Sequence, residues 1–195
     1  MSVQTKARLS PQEYLDIERR AETKSEYLDG AMFAMTGVSR RHSLVTTNLT
    51  RELSQRLLDR PCEVHSSDLR VYIPATGLYT YPDLAVVCGE PQFEDDQELD
   101  TLLNPTLIVE VLSPTTEAYD RGKKFEHYDS IGSLAEYVLV SQTTPRVEQL
   151  VRQEGGHWLF TGTSGLDGKV ILSSIGCELE LAKIYHKVPF ISPKG

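Results

Sequence analysis

A chain of 195 residues with 39% hydrophobic and 25% charged residues has the make-up of an ordinary folded protein and excludes a disordered or fibrous one. Its net charge of −8 excludes a general basic coat for nucleic acid, since such binding comes from Lys and Arg neutralising phosphates. It does not exclude a nuclease, because a local basic groove or a bound divalent cation can supply positive charge where it is needed.

The 195 residues are expected to form a single domain, without repeat, low-complexity tract or linker. Cys62, Cys88 and Cys177 are odd in number and form no CxxC pair, so no disulfide is expected and a reducing compartment is the default. The five histidines show no HExxH spacing. The opening MSVQTKARLSPQEY lacks the apolar core of a signal peptide, and no apolar run approaches the roughly 20 residues of a membrane helix. A cytoplasmic protein with no membrane partner is expected.

In chain order, Ser10 to Arg20 predicts a short helix, with Ser10 as cap, Pro11 in the first position and Tyr14, Leu15 and Ile17 on an apolar stripe. SEYLDGAMFAMTG predicts a hairpin turning on Asp29-Gly30, two residues that tolerate positive φ. From Arg41 to Leu58, Leu44, Val45, Leu49, Leu53, Leu57 and Leu58 mark a helix with one buried stripe. Arg40, Arg41, Arg51, Arg56 and Arg60 lie in or beside it, as a solvated face or, in the minority reading, as phosphate contacts.

Three strand candidates follow: CEVHSSDLRVYI, YPDLAVVC and PTLIVEVL, the last two apolar enough to be covered on both faces. The intervening EPQFEDDQELD, with six acids in eleven residues, reads as a mobile solvated loop. A helix is expected from Tyr119 to Ser130 and a central strand at AEYVLVS. RVEQLVRQ, HWLFTGT and KVILSS read as antiparallel strands, and ELAKIY as a short closing helix. The fold class is α/β, an α+β mixed sheet flanked by helices.

Two acids stand where packing disfavours them. Glu110 interrupts TLIVEVL, and a carboxylate in a central strand is costly unless it is paired, hydrogen-bonded or on a metal. Asp83 follows Pro82 at the edge of LAVV. Hard oxygen ligands of this kind hold Mg²⁺ for phosphodiester hydrolysis, while a turn cap and a structural ion pair explain the same residues without chemistry. On the next helix, Asp120, Lys124 and Tyr128 fall at i, i+4 and i+8 and share a face. Turned toward Glu110, that face would let Lys124 act on water and developing charge; turned to solvent, it holds a weak ion pair. Lys123, about 100° away around the helix, is the alternative lysine. SPTTEAYDRG offers the hydroxyls of Ser113, Thr115 and Thr116 in a loop beside them.

These motifs, in order SEYLDG, RRHSLVTTNL, SSDLRVYI, YPDLAVV, NPTLIVEVLSPTTEAYDRGKKFEHY and AEYVLV, resemble the Uma-two family of restriction endonucleases, a branch of the PD-(D/E)XK nuclease superfamily. EVLSPTT followed by D-x₃-K-x₃-Y is the most specific part. The resemblance implies a restriction-endonuclease-like αβββαβ core, with the hairpin before it and antiparallel strands after it. It implies Asp83 and Glu110 as ligands of Mg²⁺ (or Mn²⁺), DNA as partner and hydrolysis leaving a 5′-phosphate. The superfamily's usual Lys, two residues after the Glu, is Leu112 here, and the resemblance gives its role to Lys124, with Tyr128 or Asp120 holding it. Glu26, His42 and Asp68 fall on further characteristic positions, which the resemblance sets toward the metal site; read without it, they are a hairpin surface acid, a helix-cap group and a turn residue. A nuclease scaffold kept as a binding or regulatory module without turnover is the alternative, a nuclease held off by a partner is a third, and a homodimer is compatible with each.

Overall fold

The computed structural model describes residues 8–95 and 97–190. Helix α1 (Pro11–Glu18) starts in a capping box: the Glu13 backbone donates to Ser10 Oγ, and Ser10 N donates to Glu13 Oε2 at 2.7 Å. It buries Tyr14, Leu15 and Glu18, whereas Ile17 faces out. Strands β1 (Ser25–Leu28) and β2 (Ala31–Ala34) form the expected hairpin, with Asp29 and Gly30 both at positive φ. Helix α2 (Arg40–Arg56) buries Val45, Leu49 and Leu53; Leu57 stays buried after its end, but Leu58 is 81% exposed and off the stripe.

The expected strand CEVHSSDLRVYI is two. Strand β3 (Cys62–Ser66) and β4 (Arg70–Ile73) belong to different sheets, separated by a turn in which Leu69 N donates to Ser66 O. Strands β5 (Leu78–Thr80), β6 (Leu84–Cys88), β7 (Thr101–Leu102) and β8 (Leu107–Leu112) follow. The helix expected over 119–130 is broken into α3 (Glu117–Arg121) and α4 (Lys123–Asp129) at Gly122, whose φ of −116° and ψ of −95° leave the helical region. Then come β9 (Glu136–Ser141), β10 (Arg146–Arg152), β11 (Trp158–Ser164), β12 (Lys169–Leu172), β13 (Cys177–Glu180) and α5 (Leu181–Ile184).

Two larger sheets result. One has the order β2-β1-β5-β4-β7, the other β11-β10-β9-β8-β6-β3, and β12-β13 form a ribbon. In the second sheet β8 and β9 are parallel and joined through α3 and α4, while the other pairings are antiparallel, a mixed sheet as expected. Side chains alternate along β8. Leu107, Val109 and Val111 pack under α2 and α5, and Ile108 and Leu112 join Tyr128, Leu134 and Tyr137 on the opposite face. Glu110 shares that second face. Among the described residues no helix is long and apolar enough to cross a membrane.

Two expectations are corrected. Cys62 and Cys88 stand directly opposite in the β3–β6 register and form a disulfide, a pairing invisible in the spacing because the register brings it about; Cys177 is buried and free. The acidic stretch is not a free loop. Phe93 bridges to Leu102, Tyr79 donates to Glu94, and Asp100 pairs with Arg19 and Arg70, each at 2.8 Å.

Burial works against the Asp100 carboxylate, but hydrogen bonds from Arg19 and Thr101 and the charge of Arg70 outweigh it and hold its pKa down to about 2. A depressed folded pKa means stability that is complete above the unfolded value of 3.8 and lost as pH falls toward 2. Asp100→Asn is expected to lower stability at pH 7 by about 1–2 kcal/mol after solvent screening, the gap to wild type closing as pH falls through that window in urea titrations. Cys88→Ser is expected to cost about 2–4 kcal/mol, measured in the same way, because the disulfide constrains the unfolded chain over a separation of 26 residues.

Candidate functional site

The polypeptide changes sheets between β5 and β6, and Tyr81, Pro82 and Asp83 make the crossing. Antiparallel pairing of Leu84 with Val109, continued by one residue, sets Asp83 against Glu110. Val111 N donates to Asp83 Oδ2 at 2.7 Å, and Asp83 N approaches Glu110 Oε2 at 3.5 Å. His42, in the first turn of α2, places Nε2 3.1 Å from Asp83 Oδ2. Ser39, the cap of that helix, donates to Gln142, whose amide donates to Leu112 O at 2.9 Å. Three elements (α2, β8 and the loop after β9) are thereby tied together around the two acids.

Glu110 is 4% exposed. Its Oε1 accepts from Tyr128 Oη at 2.9 Å and from Lys124 Nζ at 2.9 Å. The lysine also reaches Glu26 at 3.2 Å and Asp120 at 3.8 Å. Glu26 comes from β1 in the other sheet, where Thr80 and Tyr119 donate to it. Lys124 is buried, whereas Lys123 is 75% exposed and pairs with Glu126. Asp120, Lys124 and Tyr128 converge as their spacing predicts, although the helix breaks at Gly122 between the first two.

Burial pushes the Glu110 carboxyl up; Lys124 opposes this, and Asp120 and Asp83 add to it. Asp120 is raised as well, chiefly by burial. Burial works against the Lys124 ammonium, but the charges of Glu110, Glu26 and Asp120 prevail and hold it well above the ordinary range. One ammonium therefore faces three carboxyls, an excess of negative charge that favours retained protons or a bound cation.

Among the described residues no three His, Cys, Asp or Glu side chains form a closed metal shell. Mg²⁺ does not require one. It keeps several waters and is held by one or two carboxylates together with substrate phosphate. Asp83 and Glu110 are hard oxygen donors, and the surplus negative charge fits a divalent cation.

These residues floor an open cleft of about 880 Å³. Of the five arginines in or beside α2, three are engaged elsewhere: Arg51 and Arg56 on Glu52, Arg60 on the carbonyls of Ile175 and Gly176. Arg40 and Arg41 line the cleft and have no ion pair or side-chain hydrogen bond among the described residues. Ser113, Thr115 and Thr116 line it too, hydrogen-bonded to one another. Asp68 does not line the cleft; it is 83% exposed and paired with Lys24, whose ammonium stands 5.5 Å from the centre of the Tyr81 ring. It sits in the turn after β3, the plain reading of its position.

Thr80, Tyr119 and Gln142 are contributors that sequence reasoning misses. A three-residue strand, a tyrosine beside the expected Asp120 and a glutamine after a strand carry no spacing signal.

The architecture is that of a nuclease-like fold. A crystal structure described as a putative nuclease belonging to DUF820, from Anabaena variabilis, superposes with a TM-score of 0.72 at 18% identity, covering 89% of this chain and 96% of that one. Residues 11–182 match the Uma2 family, described as "Putative restriction endonuclease", and the chain belongs to that family. Two uncharacterized proteins of Synechocystis sp. are also similar. One is 39% identical, covering 94% of each chain; the other is 36% identical, covering 89% of this chain and 97% of its own.

Lys124→Met removes the ammonium paired with buried Glu110, and is expected to cost about 3–5 kcal/mol in urea unfolding at neutral pH. Adding Glu110→Gln should recover most of that loss. A double variant no more stable than the single one would mean that the pairing is energetically unimportant.

Proposed function

We propose that this protein is a Mg²⁺-dependent (or Mn²⁺-dependent) endonuclease hydrolysing DNA phosphodiester bonds, with Asp83, Glu110 and Lys124 as its catalytic residues. The observation that carries the reading is the convergence of Asp83, Glu110 and Lys124 on the floor of an open cleft that Arg40 and Arg41 also line. Membership of a family described as restriction endonucleases supports DNA as the substrate.

Asp83 and Glu110 would hold the ion, which when bound neutralises phosphate charge and acidifies water. The remaining work falls to the chain itself. Lys124, kept charged by its acid neighbours, donates hydrogen bonds toward negative charge developing at the phosphate and orients the attacking water. Tyr128 fixes one oxygen of Glu110, so the carboxylate keeps one orientation. His42 and the Val111 backbone both hold Oδ2 of Asp83, a residue that lines the cleft, so that Oδ1 would take a ligand there. Asp120 and Glu26 position the ammonium. Arg40 and Arg41 receive the flanking phosphates as charge-assisted donors.

With Mg²⁺ or Mn²⁺, the purified protein is expected to nick or linearise plasmid DNA. Asp83→Asn and Glu110→Gln, which preserve shape, should lower the rate by about 10²-fold or more. A nucleolytic activity equal in wild type and Asp83→Asn would belong to a contaminant, and no activity on any DNA would leave a scaffold without turnover.

A further inference from the structure

The cleft has two unlike walls. The loop 113–116 supplies hydroxyls, whereas the segment running from β2 into α2 supplies Phe33, Met35 and Val38, which are 55%, 36% and 61% exposed. Three large apolar side chains within six residues, left in water on the lip of a polar site, call for a ligand that covers them. Register fixes the direction of the first. Phe33 pairs with Glu26 across the β1–β2 hairpin, and directly opposed residues project to the same face. Glu26 reaches Lys124, so the Phe33 ring stands on the side of the acid cluster. Arg40 and Arg41 follow on the same lip.

A ligand that matches both features is a polyanion carrying flat apolar rings with accessible faces. In duplex DNA the base faces are stacked inward and only their edges reach the grooves. In an unpaired strand the faces are open, and aromatic side chains beside a basic track are the usual platform for them. Resting on the DNA-nuclease reading, we propose that the cleft takes DNA with at least one base unpaired, its face laid on Phe33 between Met35 and Val38, with adjoining phosphates on Arg40 and Arg41. The apolar lip then selects single-stranded or locally opened DNA over intact duplex.

The test is equilibrium binding with Ca²⁺ in place of Mg²⁺, read by fluorescence anisotropy. The probes are a short labelled DNA strand, its blunt duplex and an RNA strand of the same sequence. The strand is expected to bind about tenfold tighter than the duplex. Phe33→Ser with Met35→Ser, both at exposed positions, should weaken strand binding about tenfold and leave duplex binding unchanged. Arg40→Gln with Arg41→Gln should weaken both, and reduce the salt dependence of log K by about 1–2. Equal binding of strand and duplex, preference for RNA, or indifference to Phe33→Ser overturns the proposal. So does a Phe33→Ser variant whose only change is dissociation of a dimer, which would assign the lip to a second copy of the chain. Parallel digestion in Mg²⁺ separates this inference from the nuclease reading. Single strand cut by the Phe33→Ser variant at the wild-type rate, under conditions where binding limits the rate, overturns the inference alone. Strand binding that needs Phe33, with no cutting by wild type, overturns the nuclease reading alone.

Discussion

Burial of the Glu110 carboxyl in the central strand of a six-stranded sheet is the constraint to which the surrounding elements answer. A charge withdrawn from water in that position needs a counter-charge and hydrogen-bond donors with good geometry. Lys124 and Tyr128 supply them from one face of α4. For that face to reach the strand, the preceding helix breaks at Gly122, where an added Cβ would lie 3.2 Å from the Ala118 carbonyl oxygen. Asp83 is brought alongside by the strand register and by the sheet-to-sheet crossing at residues 81–83. His42 then anchors the start of α2 on Asp83, and Glu26 ties the first sheet to the same lysine. Removal of one partner would therefore be felt in both sheets.

On the proposed reading, a protein of net charge −8 meets a polyanion through where its cations stand and not through their number. Most of the α2 arginines are spent on structure: Arg51 and Arg56 neutralise buried Glu52, and Arg60 satisfies two carbonyls at the β12–β13 ribbon. Arg121 and Arg146 serve Glu148 in the same way. Arg40 and Arg41 remain at the cleft. Local arrangement, not the total, sets the field that a ligand meets.

What can be read from the sequence is what short-range periodicity encodes. The Asp29-Gly30 hairpin, the apolar stripe of α2 and the continuous apolar runs of β6 and β8 are local patterns, and each forms close to its expected bounds. Glu110 was conspicuous because its environment could be inferred from the residues on either side. Features set by register or by distant partners were not legible. The Cys62–Cys88 disulfide depends on β3–β6 pairing, strands β5 and β7 are too short to show a period, and the acids at 94 and 100 are fixed by Tyr79, Arg19 and Arg70. Asp68, which its motif leaves open between a site residue and a turn residue, sits in the turn after β3 with its carboxylate on Lys24. The choice between Lys123 and Lys124 likewise needed three dimensions, since only one of two adjacent helical residues faces the strand.

The central claim is that Asp83 and Glu110 together hold a divalent cation. Crystals grown with Mn²⁺ and measured for anomalous scattering test it directly. The account predicts one peak between the carboxylates of Asp83 and Glu110, with Lys124 close by, absent from crystals of Asp83→Asn. Clear density for the Glu110–Lys124 pair with no anomalous peak beside it, in the presence of both Mn²⁺ and DNA, would contradict the account and leave these acids a purely structural role.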